Sequence, residues 1–124
     1  MGAFSANLNF STPVVWSNMS SITSVNRAQG VTVTWTGGAA NTFVNIAGGS
    51  SSSSAGLTVS FTCVAPVAAG TFTVPSYILL ALPAGSGNLG VAGETAIQTF
   101  AATGLDYGYL FGSSGGMNNS ISYN

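Results

Sequence analysis

The sequence QGVTVTWTGG, at residues 29–38, has the hydrophobic period of a β-strand with one buried face. Val31, Val33 and Trp35 fall on one side of such a strand, and three threonines fall on the other. Glycines stand before and after the stretch, and glycine favours turns because it reaches backbone angles that other residues avoid. We therefore predict a central strand here, with Trp35 as the largest contribution to the core.

Composition limits the class of protein. The chain has 124 residues, 46% of them hydrophobic, and only Arg27, Glu94 and Asp106 are charged. This length suits one domain, and the apolar content excludes disorder of the low-hydrophobicity, high-charge kind. One arginine and no lysine exclude a nucleic-acid binder, because so few cations cannot neutralise a row of phosphates. The apolar runs are too short for a membrane helix, which needs about 20 residues, so no membrane span is expected.

Alternating apolar and polar residues predict eight or nine short strands separated by glycine- and proline-rich turns. Besides the central strand, they are expected at residues 3–11, 41–47, 57–64, 71–74, 88–91, 96–101, 105–111 and 117–123. Residues 14–16 either start a short strand or cross between sheets. Residues 48–54, two glycines and five serines, read as a flexible hairpin loop, and residues 113–116 read as a turn. Between two prolines, residues 76–82 predict one helical turn, with a buried strand as the alternative.

This pattern predicts an all-β fold, an antiparallel β-sandwich of immunoglobulin-like type. We expect a single sandwich domain at residues 13–124, preceded by an N-terminal strand at residues 1–12. Cys63 is expected to be a buried free thiol on the inner face of its strand. The predicted core consists of Val31, Val33, Trp35, Val59, Phe61, Cys63, Phe72 and Leu80.

Several segments resemble a family of uncharacterised immunoglobulin-like domains found at the C-terminal ends of exported bacterial proteins. They are RAQGVTVTWTGG at residues 27–38, FTC at 61–63, AGTFTVP at 69–75, LLALPA at 79–84 and GLD at 104–106. The resemblance covers most of the chain from Trp16 onward. It implies an extracytoplasmic β-sandwich and implies no activity, so we expect an extracellular or cell-surface location.

The sequence offers little for catalysis. It contains no histidine, which excludes Ser/His/Asp and Cys/His nucleophile arrangements within this chain. Glu94 and Asp106 formally allow a glycosidase-like pair, but neither lies in an apolar setting. One carboxylate with backbone carbonyls could hold calcium weakly, but the acidic triplets of calcium loops are missing. We therefore expect no enzyme, cofactor or metal site. Arg27 is expected either to pair with one of these carboxylates or to donate to loop carbonyls.

One aromatic strand and three sequons remain. Tyr107, Tyr109 and Phe111 alternate along one predicted strand, which favours core packing or a subunit contact, with carbohydrate binding as the alternative. Asn-X-Ser sequons, which would accept glycans only in a host with the enzymes, stand at Asn9, Asn18 and Asn118.

Assembly is the function that the sequence favours. A surface with so little charge lacks the repulsion that keeps domains apart in solution. In residues 3–11 the apolar side chains alternate with polar ones, so this segment is either the first strand of its own sandwich or a strand donated to a neighbour. Head-to-tail donation generates filaments. We expect an extracellular structural subunit that self-assembles, the alternative being a monomeric accessory or carbohydrate-binding domain of a larger secreted protein. The candidate donor side chains are Phe4, Ala6, Leu8 and Phe10.

Overall fold

The computed structural model describes residues 4–10 and 12–124, and within them it is an all-β protein, as predicted. Three short helical turns interrupt the strands, at Met19–Ser21, at Val67–Ala69 and at α1 (Ser76–Leu79). The strands are β1 (Val15–Trp16), β2 (Ser24–Val25), β3 (Val31–Thr36), β4 (Phe43–Ser52), β5 (Leu57–Pro66), β6 (Thr71–Val74), β7 (Gly85–Glu94), β8 (Gln98–Phe100), β9 (Gly108–Leu110) and β10 (Ser113–Tyr123).

The strands form three sheets. One has three strands in the order β1-β3-β6, another has five in the order β2-β10-β7-β4-β5, and β8 pairs with β9 in a ribbon. All neighbours are antiparallel except β2 and β10, which are parallel. Side chains from the three-stranded and five-stranded sheets meet in a single core. The immunoglobulin-like type stays a prediction.

The central strand is confirmed as β3. Val31, Val33 and Trp35 are buried, and the threonines between them face outward or are half-buried. Trp16 on β1 lies opposite Trp35 in the sheet register and is equally buried. A buried indole N–H needs an acceptor. That of Trp35 donates to the carbonyl of Val67 at 2.9 Å.

The glycine- and serine-rich stretch is not the flexible loop that we predicted. Strand β4 continues through it to Ser52, and Gly48, Gly49 and Ser50 are buried. A Cβ atom at Gly48 would lie 2.7 Å from the Tyr123 hydroxyl, so the strand needs a residue without a side chain there. The Ser50 hydroxyl donates to the carbonyl of Pro83 at 2.6 Å, which satisfies it inside the fold.

The last strand also begins earlier than predicted. Residues 113–116 are not a turn; they belong to β10, which carries a bulge between Ser114 and Met117. Gly115 has a φ of +66° and its α-carbon lies against the backbone of Val14, which leaves no room for a side chain. Glycine therefore marks a bulge and a close backbone approach here.

Most of the predicted core side chains face inward. Val59, Phe61, Cys63 and Phe72 are half-buried and pack against the buried core. The prediction that Leu80 belongs to the core is wrong, because Leu80 is 57% exposed. The helical turn predicted at residues 76–82 is confirmed as α1 and the residues after it, and this turn places Leu79 and Leu82 inside, three residues apart.

In the part of the N-terminal segment that the structure describes, the predicted strand is not formed. Residues 4–10 belong to no strand, and the predicted ends at residues 3 and 11 lie outside the described residues. No helix in the described part of the chain is long and apolar enough to cross a membrane.

Candidate assembly surfaces

Residues 4–10, which we call the leading segment, contact the β8–β9 ribbon through side chains. The Phe4 ring stacks on Phe100 with centroids 5.0 Å apart and planes 13° apart. Leu8 and Phe10 occupy the space beside Gly112, where a Cβ atom would lie 2.8 and 2.7 Å from them. Phe4 and Phe10 nevertheless stay 49% and 55% exposed. The leading segment is therefore covered on one side only.

The backbone of the leading segment has no partner in the rest of the described chain. No backbone hydrogen bond joins residues 4–10 to it. The first fixed point is Thr12, whose carbonyl accepts from the Gly38 N–H at 3.0 Å. Val14 follows, 1% exposed, and leads directly into β1. The segment thus leaves the fold at the β1 edge of the three-stranded sheet with its backbone groups free to pair.

A cavity of about 150 Å³ lies at the root of the leading segment, between Phe10, Val14 and the ends of β4 and β7. Glu94 lies at its wall, and its carboxylate accepts from the Asn45 side-chain amide at 2.7 Å. Ligand pockets for drug-sized molecules usually measure about 300–1,000 Å³. This cavity is too small for such a ligand.

Burial falls sharply from β4 to β5 on the inner face of the five-stranded sheet. Val44 and Ile46 on β4 are fully buried, whereas Phe61 and Cys63 on the neighbouring β5 are half-buried and Leu57 is 48% exposed. Ala65, near the end of β5, is 3% exposed, so the cover is complete there and incomplete along the rest of β5. We call this place, between the outer strands β5 and β6, the open side. The sequence showed that the face of β5 is apolar but not that it lacks cover.

The open side has two free strand edges, and its two strands carry no charged side chain. Strands β5 and β6 are the last strands of their sheets, so one edge of each is unpaired within the described chain. Neither strand contains a charged residue. Monomeric proteins usually protect such edges with charge, proline or a covering element. Proline occurs here only at the end of β5, at Pro66.

Cys63 lies on the open side as a free thiol, as expected, but it is half-buried where we expected it to be buried. Burial raises the pKa of this thiol above its ordinary value. A raised pKa lowers the thiolate fraction at neutral pH, and the thiolate is the reactive form. The residue therefore acts as a small apolar side chain here.

The aromatic strand forms an exposed strip. Tyr107, Tyr109 and Phe111 are 68%, 57% and 57% exposed, so they do not belong to the core. Their ring centroids are spaced 6.2 Å and 6.0 Å, and the Tyr109 and Phe111 rings lie within 16° of parallel. The strip is thus an exposed aromatic surface on the described part of the chain.

The charged residues Arg27 and Asp106 differ in their surroundings. Arg27 donates through Nη1 to the Leu82 carbonyl at 2.6 Å and through Nε to the Asn124 carbonyl at 3.3 Å, the second of our two alternatives. Asp106 is exposed at a bend. No group of three or more His, Cys, Asp or Glu residues with metal-site geometry occurs in the part of the chain that the structure describes.

The three sequons differ in exposure. Asn9 and Asn118 are exposed, whereas the Asn18 side chain is engaged in the fold. Its amide oxygen accepts from the Trp16 indole at 2.8 Å and from the Thr34 N–H at 3.0 Å. Asn18 therefore has a structural role.

Comparison with protein-family models, with curated proteins and with solved structures found no match to this chain. The resemblance to C-terminal domains of exported bacterial proteins thus stays a prediction.

Proposed function

We propose that this protein is a non-enzymatic, extracellular structural subunit with a β-sandwich body, and that it self-assembles by donating its N-terminal segment to a neighbouring copy. Donation of this kind adds a strand to another chain's sheet through backbone hydrogen bonds, while alternate side chains fill a groove.

The unpaired leading segment carries this proposal. Residues 4–10 alternate apolar with polar side chains, make no backbone hydrogen bond to the rest of the described chain, and leave Phe4 and Phe10 about half exposed. Joining a sheet would pair these backbone groups and bury both rings. Full burial of a phenylalanine contributes about 1.5–3 kcal/mol, so burying the exposed halves of two rings favours assembly by roughly that amount.

Sparse charge supports the same proposal. The whole chain has one cation and two anions, and Arg27 and Glu94 are already engaged with groups of their own fold. Copies of such a protein approach one another with little electrostatic repulsion. The resemblance of the sequence to domains of exported proteins supports the extracellular location.

Deletion of residues 1–12 tests the proposal. We expect the shortened chain to keep its far-UV circular dichroism and thermal transition but to form no polymer in electron micrographs. Unfolding of an otherwise monomeric protein would instead show that these residues belong to their own domain.

A matched pair of substitutions sharpens this test. Leu8→Asp places a charge among the apolar side chains of the leading segment, and Asn7→Asp places the same charge on its polar side. We expect Leu8→Asp to prevent polymerisation and Asn7→Asp to leave it nearly unchanged. Equal effects of the two substitutions would contradict a donor strand with one buried face.

The exposed aromatic strip favours a second candidate, an accessory domain that binds carbohydrate. Tyr107, Tyr109 and Phe111 present three exposed rings in a row, with centroids 6.2 and 6.0 Å apart. Exposed apolar surfaces of this kind often mark ligand-binding sites. A glycan array tests this directly. Binding that is lost in Tyr109→Ala would support the accessory domain, and absence of binding by the intact monomer would reject it.

A further inference from the structure

We propose that the open side between β5 and β6 is the acceptor for residues 4–10 of a second copy of this chain, which add a fourth strand beside β6. The proposal rests on the proposed function, strand donation, and names the surface that receives the strand.

The sheet order places β6 on the required side of the molecule. In the three-stranded sheet, β1 and β6 are the two outer strands, and β1 contacts β10 and β7. Those two strands lie on the far side of β4 from β5. Strand β6, at the other edge, follows β5 through the short turn Val67–Ala69. The free edge of β6 therefore lies towards β5.

The burial pattern shows where a strand is missing. Val44 and Ile46 on β4 are fully buried. On β5 only Ala65, near its end, is buried on this face, whereas Val59, Phe61 and Cys63 are half-buried. Three strands face five, so the smaller sheet ends before it covers its partner. A strand added to the free edge of β6 would extend the smaller sheet over β5 and complete the cover.

The leading segment matches this place in period and in charge. Alternate side chains of a strand recur about every 6.6–6.8 Å on one face, so the apolar row of the segment has the same spacing as the β5 row that it would cover. The segment, β5 and β6 contain no charged residue. Burial of this contact therefore desolvates no ion.

The positions of donor and acceptor explain why repeated contacts would build a chain of copies. The segment leaves the fold beside β1, at one edge of the three-stranded sheet, and the acceptor is at the β6 edge, on the opposite side. Each copy would donate its leading segment from the β1 edge and accept a neighbour's segment at the β6 edge. Contacts of this head-to-tail kind generate filaments unless the rotation between copies closes a ring.

The contacts that the segment makes with its own ribbon are weaker than those it would gain. They consist of the Phe4–Phe100 stack and the packing of Leu8 and Phe10 beside Gly112, with no backbone pairing to the rest of the described chain. Transfer to a sheet edge replaces them with ladder hydrogen bonds and burial on two sides.

Cys63 supplies the probe for the test, because the chain contains no other cysteine. Ala6→Cys and Leu8→Cys place a thiol on the apolar side of the segment, and Asn7→Cys and Asn9→Cys place one on the opposite side as controls. Facing strands of packed sheets lie about 10 Å apart, whereas a disulfide needs Cα atoms within about 7 Å. A short bismaleimide linker is therefore used on assembled protein, at mildly alkaline pH and with a long reaction time, because burial raises the pKa of the Cys63 thiol. Labelling of Cys63 by a monomaleimide under the same conditions is the positive control, and the products are separated by denaturing gel electrophoresis.

We expect a ladder of cross-linked oligomers from at least one apolar-side variant, at least tenfold stronger than from either control and absent when Cys63→Ser is added. Filaments without this ladder, or equal ladders from both sides, would overturn the acceptor site and leave strand donation standing. A cross-linked monomer would show that the segment closes its own domain, which overturns the site for a second copy. Absence of any polymer would overturn the proposed function itself.

Discussion

Gly48→Ala tests whether the glycine-rich part of β4 is packed, as the structure shows, or flexible. The added methyl group would lie 2.7 Å from the Tyr123 hydroxyl, 2.8 Å from the Phe61 ring and 2.9 Å from the Asn88 carbonyl oxygen. All three distances are shorter than normal carbon contacts of about 3.5–4.0 Å. Overpacking by one methyl group costs about 1–3 kcal/mol. It would also displace the Tyr123 hydroxyl from its 2.9 Å hydrogen bond to Asn88, worth about 1 kcal/mol.

Together these costs predict a loss of about 2–4 kcal/mol in the free energy of unfolding. For a domain of this size that corresponds to a fall of roughly 10 °C in Tm. Thermal unfolding followed by far-UV circular dichroism measures it, at equal protein concentration for all variants. Gly116→Ala is the matched control, because the nearest atom to its new methyl group is 3.9 Å away. If both variants melt within about 2 °C of the parent protein, the packing argument for β4 is refuted.

Two further predictions concern the core. Leu79→Ala should lower the free energy of unfolding by about 2–5 kcal/mol, because Leu79 is fully buried. Leu80→Ala should change it by no more than about 0.5 kcal/mol, because Leu80 is 57% exposed. Urea unfolding of both variants measures the difference, and equal losses would contradict the placement of α1. Burial raises the pKa of Tyr123 to about 12, while an unfolded tyrosine ionises near pH 10. The unfolded chain therefore loses this proton first, so stability should hold below about pH 10 and fall between about pH 10 and 12. Tyr123→Phe should make that fall shallower in thermal melts across this range, and an unchanged slope would contradict the assignment.

The sequence predicted strands best where apolar and polar residues alternate strictly. Strand β3, the apolar face of β5 and the end of β10 all follow this rule, because one face of each is fully or partly covered and the other is exposed. The prediction from sequence failed at Gly48, Gly49 and Ser50, which are residue types typical of loops but lie inside β4. Composition cannot reveal that a neighbouring Tyr123 leaves no room for a side chain.

The candidate site was predictable only in part. The alternation of the leading segment was visible in the sequence. Its lack of a strand partner among the described residues was not, because pairing depends on which edges the fold leaves free. The predicted core included Leu80 and missed Leu79 for a similar reason. Both are apolar, and only the orientation of the helical turn decides which one faces the core.

Electron microscopy combined with solution scattering of the purified full chain tests most directly whether this protein assembles. The account predicts filaments of repeating subunits, with an apparent mass that rises with protein concentration. Isolated particles of monomer mass at every concentration, with residues 4–10 held on their own β8–β9 ribbon, would contradict it.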